Sequence, residues 1–234
     1  MIRQITTSWD DGHPLDFRIA SLLDKYGLKG TFYIPRTNIE HEVMSEQEIL
    51  RLSRNNEIGG HTLNHSNLSM IDIQFLKSEI TGGKLWMDDL LGKHTTSFCY
   101  PKGLYSSVAK HVVKESGYTF ARTVELLNTK IGDPFLAPTT LQLFQHPATV
   151  YLINPIKRKG FIGILHFLKY SQFKTTLSHL THKILDIIEQ EGGVFHLWGH
   201  SWEIEQENLW DELETIIQIC SERPAFEKVW NAQI

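Results

Sequence analysis

Short apolar runs alternate with amphipathic helical patterns along most of the chain, and this alternation constrains the fold more than any other feature of the sequence. Residues 2–8 read as a strand, followed by a helix that opens at Pro14, places Leu15, Ile19, Leu22, Leu23 and Tyr26 on one face, and stops at Gly27. Residues 31–34 and 57–60 read as further strands, separated by a helix that Ser45 and Glu48 open as a capping box. Ile73, Leu76, Ile80, Met87, Leu90 and Leu91 lie at helical spacing, with Gly82 and Gly83 as an expected bend. Residues 96–100 and 118–122 are strand-like around a helix over 106–115. Residues 123–154 show no period. A helix carrying Leu177, Leu180, Ile184, Ile187 and Ile188, a strand over 194–198 and a last helix through Leu209, Leu213, Ile216, Ile217 and Cys220 complete the pattern. Repeated βα units of this kind close into a barrel or a doubly wound sheet, and both place functional residues at the C-terminal ends of strands.

No Pro/Ser-rich linker, charge block or repeat interrupts the 234 residues, and 41% hydrophobic content suffices for a large core, so a single domain spanning 1–234 is expected. With 23 Lys and Arg against 27 Asp and Glu, there is no broad basic field for a phosphate backbone, which argues against nucleic acid as a partner. No run approaches the roughly 18 to 20 apolar residues of a membrane span. The opening MIRQITTSWDDG lacks the apolar segment of a signal peptide, and two cysteines, Cys99 and Cys220, make no disulfide framework. A cytoplasmic location with reduced thiols is the expectation.

The polar clusters fall where such a fold puts chemistry. Asp10, Asp11 and Gly12 follow the first strand, and His61 and His65 follow the strand over 57–60. Two imidazoles and one carboxylate form the ligand set of many catalytic zinc sites, leaving a position for water, and a second adjacent carboxylate can accept that water's proton. Neither cluster is specific alone. Twelve histidines produce roughly 0.6 pairs at a spacing of four by chance, and a lone DDG is commonly a turn with an Asp cap. Their joint, ordered occurrence is the informative signal.

TTSWDDG (6–12) and GGHTLNHSNL (59–68) resemble the first two motifs of the polysaccharide deacetylases, the NodB-homology proteins of carbohydrate esterase family 4. YGLKGTFYIP (26–35), FCYPKG (98–103) and HLWGHSWE near the C-terminus extend the likeness. The resemblance implies an α/β fold, a deformed (β/α) barrel of about seven strands, and hydrolysis of an N-acetyl or other N-acyl group on a sugar. It implies Asp10 as base and Asp11, His61 and His65 as ligands of one divalent metal ion, zinc first, with Co, Ni, Mn or Fe as alternatives. It places the oxyanion N–H near Lys102, in the motif that also holds Pro101, and the general acid at His200, with His196 as fallback. Trp202 is a candidate for the acetyl pocket and Trp198 for packing.

The chain departs from the family pattern in two places. Cys99 stands where many members carry an arginine that touches the base, and Arg122 is the candidate substitute. The fourth motif is unreadable between 123 and 155, with Asp133 or His146 as stand-ins. The expected partner is an N-acylated sugar, for which the intracellular reading suggests a nucleotide- or lipid-linked precursor. Two rival readings fit the sequence less well. An iron oxygenase uses similar ligands, but in an H-x-D order on all-β scaffolds. A degenerate sugar-binding module of the same fold would have no need of Asp10 beside Asp11.

Overall fold

The computed structural model describes residues 1–70, 72–144 and 176–234. The strands are β1 (Arg3–Asp10), β2 (Gly30–Ile34), β3 (Glu57–Gly60), β4 (Ser97–Cys99), β5 (Phe120–Arg122), β6 (Leu141–Gln142), β7 (Gly193–Gly199) and β8 (Glu227–Lys228). The helices are α1 (Asp16–Lys25), α2 (Glu46–Leu52), α3 (Ile73–Leu91), α4 (Ser107–Glu115), α5 (Leu177–Glu191), α6 (Ser201–Gln206) and α7 (Trp210–Ser221). Strand order is β5-β4-β3-β2-β1-β7-β6, every pairing is parallel, and β8 pairs with the start of β1. Ala137 bridges Arg122 at one end of this sheet while Leu141 pairs with Leu197 near the other. One segment therefore touches both ends of the sheet and curls it into the expected barrel-like shape. No helix among the described residues is long and apolar enough to cross a membrane.

Period-two alternation divides each central strand between two environments. On β1, Ile5 and Trp9 pack into an apolar layer with Ile19 and Leu23, while the intervening Thr6, Ser8 and Asp10 make polar contacts inside the barrel. On β7, Phe195 and Leu197 join the apolar layer and His196 bonds inward to Ser8 (2.8 Å). Strands buried on both faces can thus carry polar side chains, provided each finds a partner.

Asn231 closes the floor of that interior. It is fully buried, its Oδ1 accepts the Thr6 hydroxyl (2.7 Å), its Nδ2 donates to Tyr33 OH (2.9 Å), and its backbone N–H donates to Thr31 Oγ1 (3.0 Å). Asn231→Ala strands two buried groups, so unfolding free energy from denaturant titration should fall by about 3 kcal/mol.

Two differences from the sequence reading have a clear physical reason. β1 runs on through Asp10, because Asp10 continues the ladder opposite Tyr33. α3 is one continuous helix, and Gly83 is there for close approach: a Cβ would lie 2.8 Å from the Thr62 carbonyl carbon. Gly83→Ala should therefore push α3 off the Thr62 turn and lower the melting temperature, at a cost of about 1–3 kcal/mol. The short helix α6 and the two-residue β6 were not foreseen.

Candidate active site

The β1 end turns sharply through Asp11 (φ 75°) and Gly12 (φ 63°), where a Cβ on Gly12 would lie 2.6 Å from Ile34. The turn after β3 is as strained, with Thr62 at φ 66° and His65 at φ 52°. Glu79 of α3 holds it by accepting the Asn64 backbone N–H (2.9 Å) and side-chain amide (2.7 Å). Among the described residues, four of the six non-glycine positive-φ positions, Asp11, Thr62, His65 and Lys102, lie in these turns and the one after β4. Such conformations persist only where neighbours over-determine them, and they concentrate at functional sites.

These turns bring Asp11, His61 and His65 together. Asp11 Oδ1 lies 3.7 Å from His61 Nε2 and 3.1 Å from His65 Nε2, and one ligand atom from each residue falls within 4.8 Å of the others. The His61 Nδ1–H donates to the Cys99 carbonyl (2.9 Å), which can only accept, so Nε2 keeps its lone pair toward the cluster. Burial depresses His61 to about 4, leaving it neutral and able to ligate. The Trp202 indole N–H donates to Asp11 Oδ2 (2.9 Å), whereas buried Asp11 Oδ1 has no hydrogen-bond partner. A buried carboxylate oxygen without a donor, facing two imidazole nitrogens, is the environment a divalent cation satisfies. The residues present fit a metal.

Asp10 sits beside this cluster and is 3% exposed. Burial alone would raise its pKa, but the Arg122 guanidinium, bonded to Oδ1 from β5, together with His61 and His200 holds it below the ordinary carboxylate value. Cys99 and Arg122 are register partners on β4 and β5, so the two neighbouring strands offer adjacent starting points toward Asp10. The Cys99 thiol lies 3.6 Å from Asp10 Oδ2. Arg122 is 0% exposed, with its guanidinium 4.8 Å from the Trp198 ring centroid. It lies behind Asp10 and off the cavity wall, making the contact with Asp10 for which it was the candidate substitute.

His200 follows β7 as the N-cap residue of α6. Its Nδ1 lies 3.2 Å from Glu203 Oε2, and the Gln142 side-chain amide donates to the same oxygen (3.2 Å). Burial opposes the imidazolium, but Glu203, Asp10 and Asp11 outweigh it and raise His200 above the ordinary histidine value. Glu203 is thus the carboxylate that faces His200, and the spacing HSWE at the start of a helix was the available signal. Asp133 is instead paired with Lys110 at a half-exposed position, and His146 lies outside the described residues. His196 is buried beneath the site, bonded to Ser8, and pushed down to about 3 by burial and Arg122, which corrects its reading as fallback acid.

Asp10, Asp11, His61, His65, His200 and Trp202 line one cavity of about 460 Å³. Lys102 stands at its edge in the turn Pro101–Gly103, which the Gly103 and Leu104 N–H groups close without using that of Lys102. Pro101 is buried and off the cavity wall, at the first position of that turn. Trp202 is covered by His41, with ring centroids 3.8 Å apart. The sequence reading missed Glu40, whose Oε1 accepts from Lys102 Nζ (2.7 Å) and whose Oε2 lies 3.5 Å from His65 Nδ1.

Comparison with known proteins agrees with this geometry. The chain is 27% identical over 124 residues to YxkH of Bacillus subtilis, provisionally named a polysaccharide deacetylase, covering 52% of this chain and 44% of that one. It is 26% identical over 116 residues to the peptidoglycan-N-acetylglucosamine deacetylase of Bacillus cereus, covering 49% and 53%. The chain thus spans about half the length of each of these relatives. A family 4 acetyl xylan esterase from Clostridium thermocellum, solved with a cobalt ion, shares the fold at a TM-score of 0.60 and 17% identity, covering 99% of this chain and 89% of that one. The polysaccharide deacetylase profile matches residues 2–121, the stretch that carries Asp10, Asp11, His61, His65 and the Lys102 turn, and the chain belongs to that family.

Proposed function

We propose that the chain is a metal-dependent hydrolase that removes an N-acetyl or other N-acyl group from a sugar. The observation that carries this reading is the meeting, in one cavity, of a cation-ready Asp11–His61–His65 cluster, an ionised Asp10 and a carboxylate-backed His200. Asp11, His61 and His65 would hold the metal, which when bound polarises an amide carbonyl and lowers the pKa of water. Zinc is the first choice for a two-His, one-carboxylate set, and cobalt, nickel, manganese or iron suit the same donors.

Asp10 Oδ1 is taken by Arg122, so Oδ2 receives the proton of the attacking water. The Lys102 N–H, held outward by its left-handed turn, serves the oxyanion. His200 Nδ1 is oriented by Glu203, which leaves Nε2–H to protonate the departing amine. Arg122 answers the objection that Cys99 carries no charge, and Asp10 has no role in a module that only binds. The substrate is a sugar with an N-acyl group, and a nucleotide- or lipid-linked precursor in a reducing compartment suits the two buried, unpaired thiols.

Release of acetate and formate from a panel of N-acylated sugars, including nucleotide-linked ones and chitin and peptidoglycan fragments, tests the reading. Turnover by the metal-loaded protein and none after chelation is expected. A His61→Ala/His65→Ala protein should bind metal at least 100-fold more weakly; unchanged metal content by elemental analysis would refute the ligand assignment.

A further inference from the structure

Asp16 opens α1 in complete burial, 185 positions from its hydrogen-bond partner. Its Oδ1 accepts the Ser201 hydroxyl at 2.5 Å, and its Oδ2 has no partner among the described residues. Burial, with Asp11 and Asp10 close by, holds this carboxyl well above the ordinary carboxylate value. A side chain so poorly satisfied is costly to keep in an interior, and an apolar residue would pack there without that cost.

The position of Ser201 gives the contact its meaning. It lies between His200, which faces Glu203, and Trp202, whose indole N–H fixes Asp11 Oδ2. All three begin α6, a helix of six residues that has no side-chain cap at His200. A helix this short does not hold its own geometry. The passage from β1 into α1 supplies Asp10, Asp11 and Asp16, and the passage from β7 into α6 supplies His200, Ser201 and Trp202. Two side-chain bonds join them, Trp202 to Asp11 and Ser201 to Asp16.

We propose that Asp16 and Ser201 form a buried staple that sets the β7–α6 turn against the β1 turn, acting as positioning residues for the Asp11 carboxylate through Trp202 and for His200. The proposal rests on the proposed function in both halves, on its metal site for the Asp11 carboxylate and on its deacetylase chemistry for His200. Loss of the hydroxyl lets the short helix shift, and a displacement near 1 Å is enough to misalign a proton donor.

A double-variant cycle tests it with Ser201→Ala, Asp16→Ala and their combination, each checked for folding by circular dichroism. The first readout is cobalt affinity by titration, which needs no substrate. Each variant should bind about 10-fold more weakly, in line with outer-shell changes at metal sites, and the combination should lose no more than the worse single variant because both act through one bond. Ser201→Thr, which keeps the hydroxyl, should restore most of the affinity. The second readout is kcat on an N-acetyl amide against an activated aryl acetate. The amide should lose about 10-fold with KM little changed, and the ester markedly less, because its phenolate leaves unprotonated. Recovery of melting temperature in the combined variant without recovery of affinity separates positioning from mere stability. Unchanged cobalt affinity in folded Ser201→Ala, or losses that multiply in the combination, would overturn the staple. A parent protein that hydrolyses no amide would instead defeat the deacetylase reading, and the cobalt arm alone would then decide the staple.

Discussion

Asp10→Asn should keep its metal and lose about 10²–10⁴-fold in turnover, the usual contribution of a general base. Asn is nearly isosteric and still offers Arg122 an oxygen, so the cavity keeps its shape while the proton acceptor is gone. The variant also leaves Arg122, 0% exposed, as a cation facing a neutral amide. Removing one partner of a buried ion pair destabilises by about 3–5 kcal/mol, so rates should be compared well below the lowered melting temperature. The pair carries a pH signature of its own. Because Asp10 is depressed in the folded protein, its contribution to stability is present above the ordinary carboxylate value and is lost as pH falls through the depressed one. Asp11→Asn should behave differently, weakening metal binding itself. Near-normal hydrolysis by metal-replete Asp10→Asn would remove Asp10 from the mechanism.

Which of Asp10 and Asp11 is read as base and which as ligand came from the resemblance alone; the structure supplies a backbone reason for the two carboxylates to face different partners. Asp10 is the last residue of β1 with extended geometry, and Asp11 is left-handed at φ 75°, so adjacent carboxylates point apart, one toward Arg122 and one toward the histidines. The βα alternation, the motif pair and the strand carrying Arg122 were readable because each is a local pattern. Features built from distant partners were not. Asn231 meets Thr6 across 225 positions, Trp202 meets Asp11 across 191, and Ser201 meets Asp16 across 185, and no periodicity encodes such pairings. β6 has two residues, too few to show an alternation, and owes its place to pairing with Leu197 and Trp198. Glu203 lay in plain view at three residues from His200, but its role needed α6 to exist, and a helix of six residues leaves almost no periodic trace.

His200→Ala should lower turnover on an N-acetyl amide by about 10²–10³-fold without changing metal content, and should cost far less on an activated aryl acetate. The difference follows from the leaving group. An amine must be protonated as it departs, and His200 Nε2–H is the proposed donor, while a phenolate needs no proton. The pH profile of the parent carries the same information. The base must be ionised and the acid protonated, so the rate is bell-shaped, with apparent limbs that belong to the coupled pair. Arg122 keeps Asp10 ionised, which moves the acid limb below the ordinary carboxylate value. Glu203, Asp10 and Asp11 raise His200, which moves the alkaline limb above the ordinary histidine value and widens the plateau on that side. Glu203→Gln removes the strongest of the influences that raise His200, so the alkaline limb should move to lower pH while the acid limb stays in place. Equal losses on amide and ester in His200→Ala, or an alkaline limb indifferent to Glu203→Gln, would place the general acid on another residue.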